Sequence, residues 1–298
     1  MSPGGTVEIN TAIALKLHAF GLTSLHDPNW TGQDMFYHVK EHIKGREEPY
    51  DLLRKTLRNG LLYQIGQWLL EDYFFSDAYR MKLGHEYRFW YLEDLTTLLD
   101  SERAADKLVL DATAFVDRVN GLYTEDESAY WKEIDSEDSY DLAAELIENY
   151  ESTLRGMMPE YAKNYAERVF HDRQLCEHIS KTLIVIGFDG NSEFGQTPRQ
   201  WVDRQEIPSW ASRAVVARDR GQCAKCGAAI TLELHADPHI DHIIPLARGG
   251  TNDLVNLQLL CDDCNLKKNA SLVDVSSSVP SYLAIKRSKK RQDKTNHL

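Results

Sequence analysis

Two cysteine pairs, Cys223-x-x-Cys226 and Cys261-x-x-Cys264, constrain this chain more than any other feature, and 34 residues lie between them. A CxxC turn aims two sulfurs at one point, and two such turns close a tetrahedral thiolate site around Zn²⁺. Four protein ligands leave no open position, so zinc there is structural and helps a small, core-poor segment to fold. Redox use is the other reading of such pairs, but nothing near either one resembles a thioredoxin βαβ unit. The fifth cysteine, Cys176, stands far upstream on an apolar helical stripe and reads as a buried small side chain.

Charge divides the chain near the same place. Residues 1–208 hold 21 Lys+Arg against 37 Asp+Glu, whereas residues 209–298 hold 13 against 9. The formal total of −12 therefore conceals a basic C-terminal third, which suits a nucleic-acid partner. No apolar stretch follows a basic start, and no run of about eighteen apolar residues occurs, so the expectation is a soluble cytoplasmic protein with no membrane partner.

Upstream, the pattern is helical. From Asp51, apolar residues recur at Leu52, Leu53, Leu57, Leu61, Leu62, Ile65, Trp68 and Leu69, one stripe on a helix. Thr124 with Glu127 reads as a capping box, and Pro159 as the first turn of a long helix that ends near Gly187. The expected organisation is an acidic all-helical domain over residues 1–195, regulatory or binding a partner protein or target. A linker within 189–200, rich in Gly, Ser, Asn and Pro, leads to a second domain over 205–285 and a basic flexible tail over 286–298. Ser209 is placed to cap that domain's first helix. "RMKLGH" (80–85) has the R-x4-H spacing of helical ribonucleases, but such spacings arise by chance, and the aromatics of "EYRFWYLED" (86–94) read as core.

Between the knuckles, "HIDHIIPL" (239–246) reads as a strand cut by Pro245, "ARGGTND" as a long turn and "LVNLQLLC" (254–261) as a second strand. "DDCNLKKNAS" then starts a helix with Asn265 in its first turn and Lys267 and Lys268 behind it. A purely structural zinc module has no need of Asp241 beside His242, nor of Asn256 and Asn265 at those places. His239, two residues before Asp241 on the same strand face, reads either as a substrate contact or as a half-buried residue with no role, and His235 as loop.

The arrangement of "CAKCG", "IDHIIPLARGGTND" and "VNLQLLCDDCNLKK" over about residues 208–275 resembles the HNH endonucleases of the ββα-metal class. With the helical pattern upstream, the expectation is a mainly α chain: an all-helical N-terminal domain followed by the small zinc-stabilised α+β domain that the resemblance implies. The resemblance also implies Asp241 as first ligand of a catalytic Mg²⁺ or Mn²⁺, His242 as general base, Asn256 as brace of the loop that carries the base, and Asn265 as second ligand. DNA is then the substrate, cut to 5′-phosphate and 3′-hydroxyl ends. An imidazole titrates near neutrality and can take the proton of an attacking water, while a hard cation relieves charge at the leaving oxygen. Neighbours on a regular strand point to opposite faces, so the strand must twist or end at His242. Arg248, Lys267 and Lys268 are candidates for phosphate contacts, though each alone also reads as a solvated surface charge. A catalytically silent zinc module that binds DNA or a partner protein is the alternative. Fusion of helices upstream of a nuclease resembles an effector of anti-phage defence, an analogy of architecture.

Overall fold

The computed structural model describes residues 51–75, 85–103, 106–134, 138–188, 202–230 and 238–268. The 189–200 linker, the 286–298 tail, His235 and Arg80 lie outside them. Among the described residues the elements are α1 (Asp51–Arg54), α2 (Leu61–Phe75), α3 (His85–Arg103), α4 (Lys107–Glu125), α5 (Glu127–Ile134), α6 (Asp138–His171), α7 (Arg173–Phe188), α8 (Ser209–Arg218), β1 (His239–His242), β2 (Leu257–Leu260) and α9 (Asp262–Lys268). No helix among them is long and apolar enough to cross a membrane.

The chain folds as two compact units. Among the described residues, one takes those within 63–168; the other joins 51–62 to those from 169 to 268, so helix α7 and the segment ahead of α2 belong with the cysteine knuckles. These boundaries differ from a division at a linker near residue 195, because short-range periodicity says where helices run and nothing about which of them share a core.

The first unit is helical throughout its described residues. Leu92, Leu95, Leu99, Val109, Ala112, Val119, Ile134 and Leu146 have almost no exposure and form its core. Phe89, fully buried, and Tyr91, with its hydroxyl donating to the Phe74 carbonyl, place the aromatic cluster inside. A Cβ at Gly66 would lie 3.0 Å from the Tyr165 ring and 3.1 Å from Ala162 Cα, so this glycine sets how closely α2 and α6 approach.

Helix boundaries depart from expectation at four places. The stripe from Asp51 is two helices, α1 and α2, separated by a turn that contains Gly60. Asp126, not Thr124, caps α5: its Oδ1 accepts from the Ala129 amide, while Thr124 closes α4. Pro159 lies inside α6, which is kinked at Tyr150, and the chain breaks instead at Asp172, whose Oδ1 accepts from the Leu175 amide to start α7. Pro208 stands at the N-cap of α8, with Ser209 as its first helical residue. A short side-chain acceptor decides the starts of α5 and α7 and a proline that of α8, and periodicity does not resolve one residue.

In the second unit β1 and β2 pair antiparallel, with Asp241 opposite Gln258 and His242 opposite Leu257. Short 3₁₀ turns at Leu246–Arg248 and Leu254–Asn256 fill the connection, and α9 follows β2 directly. A buried ionic cluster locks the sheet. Asp219 accepts from Arg218 Nε (2.8 Å) and the Leu259 amide (2.8 Å), with Arg173 Nε at 3.4 Å. Arg218 also donates to the Leu257 carbonyl at 2.7 Å. Such charges tolerate burial only when paired and hydrogen-bonded, and here two cations and one carboxylate clamp α7, α8 and β2. Cys176 is buried on α7, and burial raises its thiol to about 12, which makes it inert at neutral pH.

Candidate active site and metal centre

The first knuckle is a tight loop closed by the Gln222–Ala229 bridge and by the Cys223 amide on the Ala228 carbonyl. Gly227 takes a positive φ of 71°, and its amide donates to the Cys223 carbonyl. The Ala224 amide donates to the Leu259 carbonyl at 2.7 Å, which carries the loop to β2. The second knuckle is the β2–α9 junction: Cys261 follows the strand, Cys264 lies in the first turn, and the Asn265 amide donates to the Cys261 carbonyl. All four sulfurs lie within 4.8 Å of one another, and Cys226 and Cys261 are 3.7 Å apart. Thiolates about 2.3 Å from a central zinc would be about 3.8 Å apart, so the cluster has the size of a tetrahedral site. Burial and the neighbouring sulfurs push Cys261 up to about 11 and Cys264 up as well; for Cys223 burial acts the same way, but backbone donors from Cys226, Cys261 and Lys225 outweigh it and lower the thiol. Four adjacent thiolates need a dication among them, and the residues fit one.

Strand β1 ends at His242, and its last two side chains diverge. Asp241 is 19 % exposed, and its Oδ2 accepts from Lys268 Nζ at 2.6 Å. The same ammonium donates to the His242 carbonyl, and Gln258 Nε2 reaches that carbonyl at 3.2 Å. His242 is buried and points into the loop, where its Nε2 lies 3.1 Å from Asn252 Oδ1. Burial lowers the His242 pKa, the hydrogen bond that its ring donates to Asn252 Oδ1 and the charge of Asp241 oppose this, and Arg204 and Lys268 add to the lowering. The imidazole is therefore neutral near pH 7, the form a base requires.

Asn252 fixes which ring nitrogen is the base. Its Nδ2 lies 2.8 Å from both the Arg54 and the Asp203 carbonyls, which only accept, so that atom is the NH₂ group and both its hydrogens are used. Oδ1 then faces His242, and an amide oxygen only accepts, so Nε2 carries the proton. The lone pair of the neutral ring is left on Nδ1.

The loop between His242 and β2 is held by Asn256, which is fully buried. Its Oδ1 accepts from the Ile244 amide (2.8 Å), and its Nδ2 donates to the Ile244 (3.0 Å) and Thr251 (2.8 Å) carbonyls. Gly250 completes the arrangement, since a Cβ there would stand 2.0 Å from the Ile244 carbonyl oxygen.

Asn265 is half-buried in the first turn of α9. One carboxylate and one amide, both partly open to solvent, suit a hard divalent cation that keeps most of its water. Arg248 and Lys267 are exposed, in keeping with contact to a polyanion. Lys268 is not: expected at the surface as a phosphate contact, it is 2 % exposed and spends its charge on Asp241. The reason is helical phase, since α9 packs on β1 and turns this residue inward while Lys267 stays out. His239 is half-exposed, with Nε2 3.4 Å from Asp262 Oδ1. Asn252 was not singled out in the sequence, where nothing but the polar "TND" run after Gly250 marks it.

Residues 223–271 match the family model for HNH endonuclease. The matched segment begins at the first knuckle and takes in β1, β2 and the described residues of α9, and the helices upstream lie outside it. No curated protein and no solved structure matches the chain.

Proposed function

We propose that the C-terminal unit is the catalytic part of a metal-dependent endonuclease that hydrolyses DNA phosphodiester bonds. The observation that supports this best is the setting of His242: it is buried, its Nε2 lies 3.1 Å from Asn252 Oδ1 so that Nδ1 is left to act as the base, and it follows Asp241 directly in the segment that matches the HNH endonuclease model. His242 takes the proton of the attacking water. Asn256 keeps the loop that carries His242 closed, and Asp241 and Asn265 are the oxygen donors for Mg²⁺ or Mn²⁺. When bound, that cation supplies charge relief for the scissile phosphate and the departing 3′ oxygen. Cys223, Cys226, Cys261 and Cys264 hold structural Zn²⁺. Arg248 and Lys267 contact phosphates, and the basic residues of 286–298 add a diffuse, salt-dependent attraction. Products carry 5′-phosphate and 3′-hydroxyl ends.

A second reading has one observation in its favour. Lys268 already neutralises Asp241, and a domain silenced in this way would bind DNA or a partner protein without cutting. The acidic helical unit is the natural site for a protein partner or for restraint of the basic face. An effector role in anti-phage defence suits this architecture, with the helices sensing or restraining. Plasmid cleavage by the full chain at low salt, with Mg²⁺, Mn²⁺ or EDTA and beside His242→Ala, separates the readings. Metal-dependent nicking that is lost in the variant supports the nuclease; equal silence of both proteins in every metal supports the binding module.

A further inference from the structure

The surroundings of Asn252 reach beyond the HNH segment. Its amide nitrogen donates to the Leu53 carbonyl (2.8 Å), its carbonyl accepts from Thr56 Oγ1 (2.7 Å), and its side-chain NH₂ donates to the Arg54 carbonyl, 198 residues away in sequence. Backbone and side chain are thus both anchored to one short stretch. The neighbouring Asp253 repeats the pattern: its buried Oδ2 accepts from the Leu61 amide at 3.1 Å, and a Cβ on Gly60 would come within 2.7 Å of that oxygen. Leu52, Leu53 and Leu61 are buried in the same unit, so the stretch is seated by apolar contact as well as by polar anchors.

We propose that Asn252 is the positioning residue for His242, and that residues 53–61 form a clamp that holds Asn252 and so belong functionally to the nuclease site. The proposal rests on His242 being the base. Without the Arg54 and Asp203 carbonyls the Asn252 amide is free to rotate, and its NH₂ then faces Nε2 as readily as its oxygen does. An imidazole that meets an NH₂ at Nε2 must keep a lone pair there and carry its proton on Nδ1, which removes the base from the side where water attacks. Thr56 and Gly60 touch no reacting atom, yet they hold the backbone that decides between these two states.

The test uses the full-length chain labelled with ¹⁵N-histidine. Long-range ¹H–¹⁵N correlation spectra identify the neutral tautomer of each ring, and the His242 signals are assigned by their loss in His242→Gln. Wild type is expected to show the Nε2-protonated ring, and Asn252→Ala a mixture or the Nδ1-protonated ring. Thr56→Val, which is isosteric, is expected to move part of the way and carries the test should Asn252→Ala not fold. In DNA cleavage both variants are expected to lose kcat by about 10- to 100-fold, within the range of general-base contributions, with KM nearly unchanged. A wild-type ring protonated on Nδ1, or a tautomer unchanged in folded Asn252→Ala and in Thr56→Val, overturns the proposal. Failure of the nuclease reading looks different: wild type and His242→Ala are then equally inactive, whatever the spectra show.

Discussion

Replacing Lys268 by methionine removes one ammonium and little volume from a position that is 2 % exposed. The ammonium lies 2.6 Å from Asp241 Oδ2, and at an effective dielectric constant of about 20 such a pair attracts by about 6 kcal/mol. Desolvation of both groups offsets part of this. Removing one partner of a buried pair costs about 3 to 5 kcal/mol, and the low end applies because Asp241 keeps contact with water. K268M is therefore expected to lose about 3 kcal/mol of stability in urea denaturation without divalent cations. The carboxylate it uncovers then meets Mn²⁺ with its full charge. Part of the lost stability is expected to return in millimolar Mn²⁺, and Mn²⁺ affinity, read from the free-ion EPR signal, is expected to rise about tenfold, or about 1.4 kcal/mol. An unchanged urea midpoint together with equal Mn²⁺ affinity in the two proteins would refute the argument that the ammonium serves as the resident cation on Asp241.

Gly250→Ala puts a methyl group 2.0 Å from the Ile244 carbonyl oxygen and 2.8 Å from Asn256 Nδ2, so the loop must leave Asn256. With its three hydrogen bonds worth about 1 kcal/mol each, a loss of about 3 kcal/mol is expected, and wild-type stability in the variant would contradict the packing. Burial raises the Asp253 carboxyl to about 6 from its ordinary 3.8, against the pull of the Val255 and Leu61 amides. The folded value exceeds the unfolded one, so its contribution to stability is complete below about pH 4 and is lost by about pH 6, a fall of about 3 kcal/mol. D253N is expected to lack this slope in denaturation measured across that window, and parallel curves would count against it. A zinc chelator is expected to release about one zinc ion per chain and to abolish the cooperative melting of the C-terminal unit. Retention of that transition after the metal has been removed would show that the thiol cluster does not hold the fold.

Much of the site was legible because its parts are local. The strand, loop, strand and helix order between the knuckles follows from alternation, Pro245, the two glycines and an acidic helix start, all within about thirty residues of one another. Helix starts were missed by a residue or more at Thr124, Pro159 and Ser209, where one side-chain oxygen or one proline decides and the apolar stripe does not. Lys268 was misplaced for a related reason: its charge argues for the surface, but the phase of α9 against β1 turns it to Asp241.

The sequence by itself determined the cysteine knuckles, the adjacent acid and imidazole, the loop asparagine and the helical character of the described upstream residues, because each depends on spacing along a few turns of backbone. Only the tertiary structure decided that Lys268 neutralises Asp241, that Arg173 and Arg218 share the buried Asp219, and that residues 53–61 hold the partner of His242. These contacts join residues far apart in the chain. A hydrogen bond or ion pair of that kind exists only once folding has brought its two ends together, and no local pattern records its partner.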